Sequence, residues 1–454
     1  MSAVKAERYA ANEGYGEDFL GLVPKPWLVS RLKDKATFNP SKSEIKELPK
    51  ECTFAPMEKL KTDSLLTDVT VIPSNISGSY TYFRENDLLI AKVTPCFENR
   101  NVAIAKNLTN GIGFGSSEIN VVRVSKKANQ RWFFYLFLSS GFIEAGASKM
   151  AGAGGLKRIP SIFLETFAFA LPPLSEQTAI AAYLDTKTAQ IDRQIDLLSQ
   201  KATQYGKLKR SLINETVTRG LDKSVPMKDS DVVWIGEVPE HWGLKRLKEL
   251  GDLYSGLTGK SGDDFSQENE HGEPFVPFTN IANNFYLSTS NLKLVVIHPS
   301  EKQNYVKIND LFFLMSSEDY ADLGKCSLLT EEMKKKTYLN SFCKGFRFTK
   351  RTVNPKYINY LLHSTQYRLS LSNEGKGFTR INLRMDKIND MRLLIPSMSE
   401  QQAIAAYLDT KTTQIDRIVT AINTQINKLK DLRKALINDV VTGKIKVVSE
   451  GAAV

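Results

Sequence analysis

The chain has 454 residues, enough for two to four domains with separate interiors rather than one ordinary core. At 42% hydrophobic and 24% charged it has a globular composition, which excludes wholesale disorder. Its 61 Lys and Arg against 50 Asp and Glu give a net charge of +11, which suits a polyanionic partner because each cation laid on a phosphate releases counterions.

The longest apolar run, Trp132 to Leu138, is far shorter than the roughly 20 residues that span a bilayer, so no membrane segment is predicted. The start, MSAVKAERYAANEGYGEDF, has no apolar core behind a basic leader and does not read as a secretory signal; a cytoplasmic location is expected. Cys52, Cys96, Cys326 and Cys343 are far apart, as are His241, His271, His298 and His363, which predicts neither a disulfide framework nor a metal site.

In chain order, the first anchor is a start motif, Gly21, Val23-Pro24, Trp27 and Arg31-Leu32-Lys33. Strands are predicted over Asp87–Ala91 and Ile119–Arg123 and a helix over Gln130–Leu138, which makes a mixed α/β domain whose aromatic residues read as core. A glycine-rich basic turn follows, Gly152-Ala153-Gly154-Gly155-Leu156-Lys157-Arg158. After the strand end Leu171-Pro172-Pro173, Ser175 is expected as N-cap with Glu176 in the first turn, where negative charge suits the helix dipole. Apolar residues at Leu184, Ile191, Ile195, Leu198, Ala202, Tyr205, Leu208 and Leu212 form the heptad seam of a coiled coil, and Gly220 is the expected stop.

A linker, Leu221 to Trp234, leads into the same plan again. Gly236, Val238-Pro239, Trp242 and Arg246-Leu247-Lys248 repeat the start motif, and Asn309-Asp310-Leu311 stands opposite Asn86-Asp87-Leu88. Strands are predicted at Asp310–Leu314 and Cys343–Phe348, a helix at Pro355–Leu362, and a second basic turn at Gly375-Lys376-Gly377-Phe378-Thr379-Arg380. Past Ile395-Pro396, Ser399 is the expected N-cap with Glu400 in the first turn, and Gln402 completes a capping box. The second seam runs Leu408, Ile415, Val419, Ile422, Ile426, Leu429, Leu432 and Leu436. Ser175–Arg193 and Ser399–Arg417 agree at all but two positions, so the chain is one unit written twice.

The helical tails are nearly duplicated while the longer stretches before them mostly differ, as expected of one scaffold carrying two unlike binding faces. From Glu176 to Gly220 a helix covers about 66 Å at ~1.5 Å per residue, whereas the linker reaches at most about 50 Å. Parallel packing would require the linker to return the whole length, so the helices are expected to be antiparallel and related by a pseudo-twofold axis. The expected fold class is therefore α+β, two tandem mixed α/β domains separated by two long antiparallel coiled-coil helices. The expected boundaries are 1–170 and 223–394 for the domains and 171–222 and 395–454 for the helical spacers.

Gly154, Gly155, Lys157 and Arg158 in the first turn, and Lys376, Gly377, Thr379 and Arg380 in the second, are the candidate DNA contacts. Glycine lets backbone N–H groups approach a phosphate, and the cations neutralise it or reach a guanine edge. The same turns also fit flexible loops with solvated charges. Gly259-Lys260-Ser261 lacks the earlier glycine of a phosphate-binding loop, Tyr254 standing in its place. Lys157 stands where a dinucleotide fingerprint built on Gly152, Gly154 and Gly155 needs its last glycine. Asp34 with Glu44 and Lys46 only superficially resembles a metal-dependent nuclease site, and neither Asn-Pro-Pro-aromatic nor Asp-Pro-Pro-Tyr, the motifs of base-extruding amino-methyltransferases, occurs.

The strings LPPLSEQTAIAAYLD, IPSMSEQQAIAAYLD and IGEVPEHWGLKRLK resemble the repeated signatures of type I restriction-modification specificity subunits, from about Leu20 to Lys446. The first start motif departs from the pattern, since it lacks a counterpart to Glu240-His241. The resemblance implies a non-catalytic subunit whose two domains each read one half of a split site in double-stranded DNA. It implies two methyltransferase subunits on the helices, with motor-nuclease subunits added in the restriction form. No cofactor would be bound by this chain, and S-adenosylmethionine, ATP and Mg would belong to the partners. Two other readings stay open from the residues alone: a nuclease or methyltransferase with a fused recognition module, and a coiled-coil scaffold that reads no sequence.

Overall fold

A computed structural model describes residues 4–7, 12–14, 22–75, 78, 80–265, 272–377 and 379–449. Gly21, His271 and Phe378, all named above, lie outside the described residues. The chain forms two units, Met1–Ser199 with Asn423–Val454, and Gln200–Ile422, so each holds one α/β domain and a segment of both long helices.

In the first unit a four-stranded antiparallel sheet has the spatial order Val102–Ile104, Leu88–Ala91, Ile119–Val124, Ala36–Phe38. The second unit repeats that order with Cys326–Leu328, Leu311–Leu314, Cys343–Phe348 and Gly251–Ser255, again antiparallel throughout. A second sheet in each unit is built round one parallel pair, Cys52–Ala55 with Ile112–Gly115 in the first and Glu273–Val276 with Tyr338–Leu339 in the second. The first unit adds Thr81–Arg84 as a full edge strand, where the described residues of the second have a single bridge between Tyr305 and Tyr338. Two unlike sequences therefore adopt one topology.

The duplicated Asn-Asp-Leu triplet has a structural reason. Asn86 and Asn309 take φ of 69° and 67°, a left-handed turn that Asn tolerates. The Asp that follows each is 1% exposed and caps that turn, Asp87 accepting from the Arg84 N–H and Asp310 from the Lys307 N–H. Each Asp then accepts a forked pair of bonds from an arginine of the neighbouring strand, Arg123 at 2.7 and 2.7 Å and Arg347 at 2.9 and 2.6 Å. A buried carboxylate persists only when so compensated.

Aromatic packing dominates the first core. Trp132, Phe133, Phe134, Tyr135 and Phe137, all on the helix Gln130–Leu138, are fully buried, and the equivalent helix Pro355–His363 buries Tyr357, Tyr360 and Leu361. Both helices start where the sequence places them, capped by Asn129 and Asn354.

The long helices run Leu174–Arg219 and Met398–Val441. Within the first unit Asp192 pairs with Arg433 at 2.9 Å while Ile180 and Leu184 share a core with Ile437, Val440 and Val441, so the two segments are antiparallel. Within the second, Lys209 meets Asp416 at 2.6 Å while Ile213 and Val217 lie in one core with Ile404, Ala405 and Leu408, again antiparallel. Gly220, at φ 76°, ends the first helix as expected.

Three expectations are corrected. Leu174 and Met398, not the residues after Ser175 and Ser399, open the helices; Ser397 caps the second, its Oγ accepting from the Glu400 N–H at 3.3 Å, and Gln402 stays exposed, so its capping box does not form. The seam is buried at Leu184, Ile191, Leu408, Ile415 and Ile422 and partly buried at Ile195, Leu198, Leu212, Val419 and Leu436, but Leu208 and Leu432 are 53% and 54% exposed. A straight helix drifts about 20° per heptad from a 3.5-residue repeat, and each helix end also packs into the core of its unit. The buried face of the last turns thus moves to Ile213 and Val217, and to Ile437 and Val440. In the linker, Met227–Asp229 pairs with Glu237–Pro239 in antiparallel fashion.

Candidate nucleic-acid interface

Residues common to both helix starts fasten each domain to its helix. Glu176 accepts from the buried Trp27 indole N–H at 3.1 Å, and Glu400 does the same for Trp242 at 3.0 Å while also meeting His241 at 2.9 Å. Gln177 and Gln401 each accept the N–H of the residue that caps the domain helix, Asn129 and Asn354, at 2.8 Å. About two turns on, Asp185 takes the Tyr135 hydroxyl at 2.6 Å and the Arg131 Nε at 2.6 Å, and Asp409 takes the Tyr360 hydroxyl and the Lys356 ammonium at 2.8 Å each and also the Tyr286 hydroxyl. The near-identity of the two helix starts thus reflects one fastening used twice. Removing an acceptor for a buried donor costs about 1 kcal/mol or more. Glu400→Leu should therefore lower the stability of the second unit by about that amount, read as a shift in urea midpoint; an unchanged midpoint would show that the indole contact contributes nothing.

These fastenings leave the two basic turns exposed. In the first, Ala151–Ala153 pairs with Leu156–Arg158, and Gly154 and Gly155 form the two-residue loop at φ 64° and 80°, a tight hairpin turn that requires a left-handed backbone at both positions. Every residue of the two strands is exposed. The hairpin is stiffened from beneath, since the Thr94 N–H and hydroxyl both donate to the Lys157 carbonyl and the Lys157 N–H donates to the Thr94 hydroxyl at 3.0 Å. Lys157 has no side-chain ion pair among the described residues. Arg158 differs, because Glu118 holds its guanidinium through contacts of 2.8 to 3.1 Å. That bond keeps the Glu118 carboxyl below its ordinary value and the Arg158 guanidinium above its own.

In the second turn Lys376 and Asn382 form a bridge closed by mutual backbone bonds of 3.1 and 2.9 Å. Gly377 sits at φ 140°, where a Cβ would lie 2.1 Å from the Arg380 carbonyl, just as a Cβ at Gly152 would lie 2.2 Å from that of Leu156. Glycine is required at both by close backbone approach. Lys376, Thr379 and Arg380 are exposed, and the Arg380 guanidinium stacks 4.1 Å from the ring centre of Phe342. Glu118, Thr94 and Phe342, which position these turns, were not legible beforehand, since they lie far away in the sequence and belong to the unlike parts of the two copies. The turns present cations on a defined backbone, an arrangement that can neutralise phosphates or reach a base edge.

The residues of the catalytic motifs have other duties. Glu44 accepts from Arg123, and Asp34 caps a short turn by accepting from the Arg31 N–H. The Lys260 ammonium is buried against Glu301 at 2.5 Å, which draws the Glu301 carboxyl down to about 2. Among the described residues no cluster of His, Cys, Asp and Glu could hold a metal ion, and no helix is long and apolar enough to cross a membrane.

With two copies of one α/β domain on paired long helices in view, comparison with known proteins places the chain. The profile of the type I restriction modification DNA specificity domain matches residues 24–203 and again 239–428, and the chain belongs to that family. The specificity subunit of the type I restriction enzyme EcoAI of Escherichia coli is 36% identical over 161 residues, which cover 35% of this chain and 27% of that protein. The chain thus matches only about a quarter of the length of that relative and of the EcoEI subunit, 27% in each case. The MjaVIII specificity subunit of Methanocaldococcus jannaschii is 24% identical over 434 residues, 94% of each chain. Among solved structures, a chain from work on complex assembly and conformational transition of a type I R-M system superposes with a TM-score of 0.73 at 18% identity, covering 93% of this chain and 99% of that one. The HsdS subunit from Thermoanaerobacter tengcongensis gives 0.55 at 16% identity, covering 93% and 98%. These likenesses establish a shared fold.

Proposed function

We propose that the chain is the sequence-reading subunit of a type I restriction-modification complex. Each variable domain reads one half of a bipartite site in double-stranded DNA, and the helical pair sets the gap between the halves and carries two methyltransferase subunits. Adenine methylation with S-adenosylmethionine, and ATP- and Mg-dependent translocation and cleavage by motor-nuclease subunits, belong to the partners, so this chain is not itself a catalyst. The observation that carries the reading is one topology built twice on duplicated fastenings, with different residues on the exposed basic turns. A scaffold that read nothing would have no need of two unlike faces on one frame.

The test is to sequence modified bases in a host carrying this chain with its methyltransferase. A motif of two fixed halves separated by a constant gap is expected. Replacing Lys376 and Arg380 together by Ala should weaken or relax one half alone, by about 1–3 kcal/mol if a base edge is lost. Absence of any split motif, or equal damage to both halves, would overturn the assignment.

A further inference from the structure

A pocket of about 450 Å³ lies in the first domain where the strand Ile119–Val124 comes near the strand Thr81–Arg84. Its wall includes Asn120, Lys42, Lys92, Tyr82, Ser117 and Ser161. Asn120 is 2% exposed, and among the described residues its Nδ2 has no hydrogen-bond partner. A buried amide that donates to nothing is costly, so such a group in a concave wall points to an acceptor supplied from outside.

The lining decides the charge of that acceptor. Among the described residues no carboxylate lines this pocket, whereas the pocket beside Arg131 in the same unit carries Asp63, Asp185 and Asp192. Two lysines and several hydroxyls surround Asn120 instead. The Lys42 ammonium already donates to the Gly78 carbonyl at 3.4 Å, which leaves Lys92 as the cation best placed to neutralise a guest.

The pocket is also continuous with the exposed hairpin. The Lys92 carbonyl accepts from the Ile159 N–H at 2.9 Å, directly after Arg158, and the Lys92 N–H donates to the carbonyl of Glu118, the residue that holds Arg158. A strand of nucleic acid lying across Lys157 would therefore pass the pocket mouth. In the second domain the same ladder position, set by the pairing of Asn120 with Ile90 and of Lys344 with Phe313, holds Lys344, whose ammonium donates to the Ser255 hydroxyl at 2.8 Å. There the chain satisfies its own side chain, so the unmet donor at this ladder position is a feature of the first domain.

We propose that this pocket seats one backbone phosphate of the DNA bound by the first domain, accepting from Asn120 Nδ2 and neutralised by Lys92. The proposal rests on the DNA-reading function given above. It concerns a contact that positions the duplex and carries no sequence information.

Since a phosphate contact is independent of sequence, the full chain can be tested on a duplex of about 30 base pairs and arbitrary sequence, long enough to cover two turns or more. Binding is read by fluorescence anisotropy across a salt series. Lys92→Met should weaken binding severalfold at every sequence and reduce the slope of log affinity against log salt by about one. Asn120→Asp, nearly isosteric, should weaken it about tenfold or more, because a carboxylate repels the guest and cannot donate to it; melting curves check that it folds, and Lys92→Met tests the pocket without touching the core. Unchanged affinity and slope in both variants, with Lys157→Ala still weakening binding, would overturn the pocket while leaving the interface standing. A loss confined to certain base sequences, with the slope unchanged, would mean a base edge and overturn the phosphate. If the unmodified chain binds no duplex, the DNA-reading function fails first and this proposal with it.

Discussion

Insertion of one heptad after Ala202 and another after Ile426, its counterpart in the second helix, should widen the preferred gap of the recognised site by about three base pairs. Seven residues add about 10 Å at ~1.5 Å each, and ~3.4 Å is the rise of one base pair. A whole heptad preserves the seam, so Ile191, Ile415 and Ile422 remain buried, whereas three or five added residues would turn such side chains outward. The halves of the motif should stay as they were, because the residues that fasten the domains, Glu176, Gln177 and Asp185 with Glu400, Gln401 and Asp409, lie outside the lengthened stretch. Methylation mapping of the double insertion decides the matter: an unchanged gap with full activity would remove the helical pair from the role of spacer.

The second large effect is one of pH, confined to the second unit. His363 ends the helix Pro355–His363 with its ring against Phe285, its Nδ1–H donating to the Asn359 carbonyl at 2.8 Å and the Cys326 sulfur 3.5 Å away. Burial draws its pKa down to about 4, so the folded chain keeps the ring neutral. The unfolded chain takes up a proton near pH 6.5 and the folded chain does not until about pH 4, so this contribution to stability is whole above 6.5, declines as the pH falls between those values, and is flat below. A fall from 6.5 to 4 corresponds to about 3–4 kcal/mol at ~1.4 kcal/mol per pH unit, and the ring's remaining contact with solvent reduces the expected loss to about 2. The first unit has Leu138 at the same place on its helix, fully buried and without charge. Hydrogen exchange at pH 7.5 and 4.5 should show faster opening of Pro355–His363 and little added change in Gln130–Leu138. His363→Leu should remove the difference; equal sensitivity in both helices, or none, would show that His363 does not govern it.

The ring illustrates where reading the chain in one dimension stops. His363 looked like an isolated histidine, and only the approach of Phe285 and Cys326, both distant in sequence, makes it sensitive to acid. The basic turns show the same limit in another form. Their glycines and cations were legible as a type of site, but Arg158 is held by Glu118 and Arg380 lies on Phe342, so the two turns present their charge differently. Asn120 gave no signal in the sequence, because a lone Asn between apolar strand residues becomes informative only when its amide is seen to lack a partner at a concave wall.

By itself the sequence determined the duplication, the helical tails and their antiparallel packing, and the helices Gln130–Leu138 and Pro355–His363. These rest on local periodicity, on capping and on the reach of a short linker, all of which act between near neighbours. Only the tertiary structure decided that two domains with dissimilar sequences share one strand order, that Ser397 and not Ser399 caps the second helix, and that the buried stripe leaves Leu208 and Leu432 in solvent. The physical reason is the same in each case. Strand pairing joins residues far apart in the chain, and many sequences satisfy one pleated sheet. Which face of a helix is buried is settled by the domain that packs against it, and the heptad count only proposes it.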